Sequence, residues 1–120
     1  MLVEVKAVGQ YKGHNLNENG SVNVSFKFKY DQLVNVIPLT QMLSNDVKIA
    51  VKLPDAKAVK LGMFRLKSIS IDDDGESVVK FNSLVDFVEV NNLNSIVTKE
   101  SFKLRFEAEI ELEEENGEDG

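Results

Sequence analysis

Residues 21–30 read SVNVSFKFKY. Val22, Val24, Phe26, Phe28 and Tyr30 fall on one side of an extended chain, and Ser21, Asn23, Ser25, Lys27 and Lys29 on the other. Strict alternation over ten residues predicts a β-strand with one buried and one wet face. A helix would spread the same apolar residues around its whole circumference. The pattern recurs near the C-terminus. Phe102, Leu104, Phe106, Ala108, Ile110 and Leu112 alternate with Lys103, Arg105, Glu107, Glu109 and Glu111. A chain with two such stretches has to assemble an antiparallel sheet with one apolar face.

The intervening sequence supplies more strands and the turns between them. Val3, Val5 and Ala7 alternate with Glu4 and Lys6, which predicts a first strand over 2–8. Gly9 and Gly13 are expected to loosen the chain, and the polar stretch 13–20 ends in Asn19-Gly20, a strong hairpin signal. Asp31 has the side chain of a helix N-cap. Leu33, Val36, Ile37, Met42 and Leu43 then recur near helical spacing, with Pro38 suited to open a second short turn. Val47, Ile49, Val51 and Leu53 mark another strand. The stretch 59–71 changes parity near Gly62-Met63 and again near Ser68, which predicts bulges in a long, coiled strand. Asp74-Gly75 marks a turn. A strand region over 78–90 is expected to break near Asn82-Ser83. In the polar stretch 91–99, Leu93, Ile96 and Val97 are expected to plug a core edge. The sum is six or seven strands, one short helical insertion and no repeat. We read an all-β domain over 1–112, a small closed or partly open barrel of the oligonucleotide-binding type, with a jelly-roll sandwich as the alternative. Residues 113–120 are expected to form a disordered acidic tail.

Much chemistry is excluded. The chain has no cysteine, which removes disulfides and thiolate chemistry. His14 is the single histidine and has no nucleophile at any recognisable spacing. There is no phosphate-binding glycine loop and no dinucleotide motif. The acidic run 72–76 imitates the start of a calcium loop, but aligning Gly75 with its glycine puts Ser70 at the first ligand position and Phe81 at the twelfth. We therefore expect a hairpin turn, no metal, no cofactor and no enzyme activity. No apolar run is long enough to span a membrane, and the first residues do not read as a secretory leader; a cytoplasmic protein is expected.

The net charge of −6 is unevenly spread. Eight of the acids lie between Glu107 and Gly120, so residues 1–106 carry 14 basic side chains against 12 acidic ones. Cations recur at outward positions: Lys27, Lys29, Lys48, Lys52, Arg65 and Lys67, then Lys103 and Arg105. If their strands are neighbours, these cations give a basic stripe several strands wide, in which the first six are expected to contact phosphate. Tyr11, Phe28, Tyr30 and Phe64 are the rings on which bases would stack. Outward lysines that merely protect a soluble β-protein are the plainer alternative.

A β-rich body of mildly basic balance, interleaved aromatics and an acidic C-terminal run resemble single-stranded DNA-binding proteins with an oligonucleotide-binding fold. The style is most similar to small versions from phages of low-GC Gram-positive bacteria, such as lactococcal phages. The resemblance implies sequence-independent coating of single-stranded DNA in phage replication or recombination. It also implies homo-oligomers and a tail that can meet a replication or recombination protein. Cellular members close their acidic run with a Pro-Phe pair; this run ends Glu118-Asp119-Gly120. Two other readings compete: a structural tail or connector protein, and an acidic inhibitor acting through the tail and Asp72–Asp74. Removing residues 113–120 separates the last from the first, because it should abolish inhibition yet spare or tighten DNA binding.

Overall fold

The computed structural model describes residues 1–110. The tail expected at 113–120 and the final Leu112 of the alternation lie outside them. Six strands form the body: β1 (Leu2–Leu16), β2 (Ser21–Phe28), β3 (Asp46–Lys52), β4 (Ala58–Ile71), β5 (Ser77–Leu84) and β6 (Phe102–Glu109). They close into a barrel in the order β1-β2-β5-β4-β3-β6, with β6 returning to β1, and every pairing is antiparallel. Closure removes the free edges that would invite another chain to pair. The expected small all-β barrel is therefore present. It holds six strands, one more than the five-stranded oligonucleotide-binding barrel.

Aromatic residues fill the interior. Phe26, Phe28, Phe64, Phe81 and Phe106 are completely buried and Phe102 nearly so. Phe81 stacks on Phe106 at 5.5 Å between centroids, and Phe26 meets Phe81, Phe102 and Phe106 edge-on. Such contacts add to what burial alone contributes. Two of the expected stacking rings, Phe28 and Phe64, are thus core residues. Neither shows a face to solvent, so the stacking role does not hold for them. Phe28 shares the parity of Phe26, and the barrel wall extends far enough to cover it.

The parity changes in the long strand are real. On one side of β4 the register slips between Ile49 and Ala50 of β3, which leaves Leu61 without a partner; on the other it slips past Lys67. Both slips let one strand of 14 residues serve two neighbours around a tight wall. β1 departs from expectation. It runs straight through Gly9 and Gly13 to Leu16, with one bulge at Lys12. Gly9 is required there because a Cβ would lie 2.6 Å from the Phe28 ring.

The insertion between β2 and β3 is a tight 3₁₀ turn (Tyr30–Gln32), a single helical turn α1 (Leu33–Val36) and a second 3₁₀ turn (Ile37–Met42) that Pro38 opens. Lys29, not Asp31, occupies the cap position, and Asp31 makes no capping bond. A second short helix, α2 (Val90–Ser95), lies where only a polar stretch was expected. Its Leu93 and the following Ile96 do plug the core, whereas Val97 is exposed. The 72–76 segment is a hairpin turn. Gly75 takes a φ of 82°, and the Asp72 carboxylate accepts the amides of Asp74 and Glu76, each at 3.0 Å.

Candidate nucleic-acid interface

Strand order decides which outward cations meet. β3 lies between β4 and β6, and β5 separates β2 from β4. The six cations expected to form one stripe therefore divide. Lys48 and Lys52 share a face with Lys103 and Arg105 of β6 and with Lys60 of β4. Lys27 and Lys29 leave the β2 end on another flank. Arg65 sits towards the opposite end of the barrel, 3.5 Å from Asp46. It borders a depression of about 420 Å³ that Asp46, Glu107 and Glu109 also line. Lys67 stands alone on its bulge.

The register lays two rows across the outer face of β1, β6, β3 and β4. One row is Val8, Lys103, Lys52 and Ala58; the next is Lys6, Arg105, Ala50 and Lys60. Lys52 and Lys103 face each other directly, and like charges at such a position oppose folding. Nothing acidic offsets them: among the described residues no carboxylate pairs with Lys6, Lys52, Lys60 or Lys103. Lys52 instead donates to the Ala56 carbonyl at 2.7 Å.

Between the cations the wall is low because Ala50 and Ala58 carry only a methyl group. Two depressions, about 470 and 530 Å³, meet across Ala50, Ala58 and Arg105. Together they form one groove with an apolar floor and a cationic rim. At its β1 side the groove borders Val8 and Gln32, which also border a smaller hollow of about 220 Å³ holding Lys27 and Lys29. Gln32 is held there by accepting the Val8 amide at 3.0 Å. Beyond Lys27 a further depression is lined by Tyr11 and Lys99. The cations thus follow one course from Lys99 and Lys27 past Lys29 to Lys103, Lys52 and Lys60.

Arg105 is held differently. Its guanidinium donates to Glu107 and lies 2.9 Å from Glu4. The Glu107 hydrogen bond and charge keep the guanidinium firmly protonated, and the same bond holds the Glu107 carboxyl below the ordinary carboxylate range. The third row, Glu4, Glu107 and Lys48, therefore marks the acidic border of the groove.

The two remaining expected rings differ in setting. Tyr11 is half-buried, and its hydroxyl is 2.7 Å from His14 Nδ1. Burial pushes its phenol up, with a hydrogen bond to the His14 backbone acting the other way. Tyr30 is 72% exposed, but a Cβ placed on Gly75 would lie 3.7 Å from its Cδ1. Its ring leans on the turn that carries Asp72, Asp73, Asp74 and Glu76, a poor neighbour for phosphate. Sequence reasoning left Lys6 and Lys60 out of the site. It placed Lys103 and Arg105 in the outward stripe without naming them as phosphate contacts. The alternation around each was visible, but the register that brings them together was not.

Among the described residues no helix is long and apolar enough to cross a membrane. Compared with family models and with curated proteins, the chain matches none.

Proposed function

We propose that the barrel binds single-stranded DNA without regard to sequence, through the groove on β6, β3 and β4 and its extension past Lys29 and Lys27. The opposition of Lys52 to Lys103 over an alanine floor carries this reading. The two lysines stand opposite each other on paired strands with no carboxylate partner among the described residues, and a phosphodiester lying between them would relieve their repulsion. The floor of Ala50 and Ala58 has no side-chain donor or acceptor, and the Gln32 oxygen at its edge already accepts from the Val8 amide and from Asn35, so recognition rests mainly on the backbone. A barrel of this size covers only a few nucleotides. Coating a strand therefore takes many copies, as the resemblance to phage replication and recombination proteins implies.

Anisotropy of a labelled oligo-dT, titrated with protein across a range of salt, tests the reading. Six contacts, from Lys6, Lys27, Lys29, Lys52, Lys60 and Lys103, give a log-affinity against log-salt slope of about −4.2 for a single strand. Absence of binding at micromolar protein in low salt, or a flat salt dependence, rules it out. The acidic border supplies a second check. Glu107 stays ionised through the neutral range because its carboxyl is held low, and so it neutralises Arg105. Glu107→Gln is expected to raise oligo-dT affinity about two- to threefold, the scale of one exposed charge pair.

A further inference from the structure

Resting on that reading, we propose that Phe87 is the ring on which a base stacks at the β4 end of the groove. Phe87 is 58% exposed, the one phenylalanine outside the core. It belongs to a 3₁₀ turn (Val85–Phe87) through which the chain leaves β5 and continues along the flank of β4. There Val88 bridges to Gly62, and the Glu89 amide donates to the Leu61 carbonyl at 2.9 Å. The contact is close enough that a Cβ on Gly62 would collide with the Phe87 carbonyl oxygen. Gly62 is itself a lining residue of the groove, alongside Lys60 and Met63.

Val88 has extended backbone angles and a buried side chain. The Phe87 side chain, at the end of the 3₁₀ turn, is the one left exposed. The Asn92 side chain anchors the same flank by donating to the Lys60 carbonyl at 2.8 Å. Lys60 and Gly62 are two residues apart on β4, about 6.6 Å along a strand. A phosphate held by Lys60 therefore leaves a neighbouring base within reach of the ring. Tyr30, the other well-exposed ring among the described residues, leans on the 72–76 turn, whereas Phe87, though flanked by Asp86 and Glu89, meets the groove lining at Gly62.

The chain has no tryptophan, so Phe87→Trp introduces a single indole reporter. We expect oligo-dT to quench it, and an abasic deoxyribose-phosphate oligomer of equal length or inorganic polyphosphate to bind without quenching. Phe87→Ala should lower oligo-dT affinity about tenfold, the scale of one stacked base, and leave abasic affinity and thermal midpoint unchanged. Salt-dependent oligo-dT binding that survives Phe87→Ala, with no quenching in Phe87→Trp, overturns the stacking role and leaves the groove reading intact. Equal losses for oligo-dT and the abasic oligomer also overturn it, because the ring would then only shape the groove. If the unaltered protein binds none of the three probes, the groove reading fails and the stacking role fails with it.

Discussion

Replacing Lys52 and Lys103 together by alanine is expected to weaken oligo-dT binding about 25-fold at 0.1 M salt. Each single-strand phosphate contact adds about 0.7 to the salt exponent, hence about fivefold in affinity at that concentration, and the two contacts multiply. The salt slope should fall in step, by about 1.4. Folding should not suffer. The two lysines oppose each other across β3 and β6, so their removal relieves a repulsion and the thermal midpoint should hold or rise slightly. That pairing of outcomes separates a binding role from a structural one. Arg65→Ala with Lys67→Ala is the internal control, since Arg65 already faces Asp46 and Lys67 stands on a bulge off the groove. An equal loss in the control pair would mean that binding follows total charge and not the groove.

Gly62→Ala is expected to destabilise the barrel by about 3 kcal/mol, adding backbone strain to a steric clash. For a domain near this size that lowers the melting temperature by about 15 °C. Gly62 has a φ of 111°, a region that side chains rarely adopt. Its would-be Cβ also meets backbone, the Phe87 carbonyl and Val88 Cα at 3.0 Å, and backbone cannot swing aside as a side chain can. The strand and the flank segment would have to separate, which unseats the Val88 bridge and the ring of Phe87 together. Gly13→Ala provides the contrast. Nothing lies within 4 Å of that position and its φ is not positive, so the change should be neutral or stabilise by up to about 1 kcal/mol. Thermal melts of both variants decide the matter; a Gly62→Ala midpoint near that of Gly13→Ala would refute the account.

These two experiments also divide what is local from what is not. The parity of each strand is a local property, because side chains alternate with period two whatever the strand lies beside. The burial of Val22, Val24, Phe26, Val47, Ile49, Val51, Leu104 and Phe106 was therefore legible, as were both slips in β4, which show as breaks in its alternation. Asp74-Gly75 and Pro38 marked a turn and a helical start for equally local reasons. α2 was not legible: Val90–Ser95 is asparagine-rich and too short to show a period. Its Leu93 is fully buried in the barrel core, a contact that local sequence does not reveal.

By itself the sequence determined an all-β body with one apolar face per strand, its turns, its bulges and its separation of a mildly basic body from an acidic end. Only the tertiary structure decided which outward cations are neighbours. Pairing joins residues as far apart as Lys6 and Arg105, or Lys52 and Lys103, and alternation is the same whichever strand stands alongside. The same holds for the rings. Phe28, Phe64 and Phe87 are alike in composition, yet the closed wall buries the first two and the excursion along β4 exposes the third.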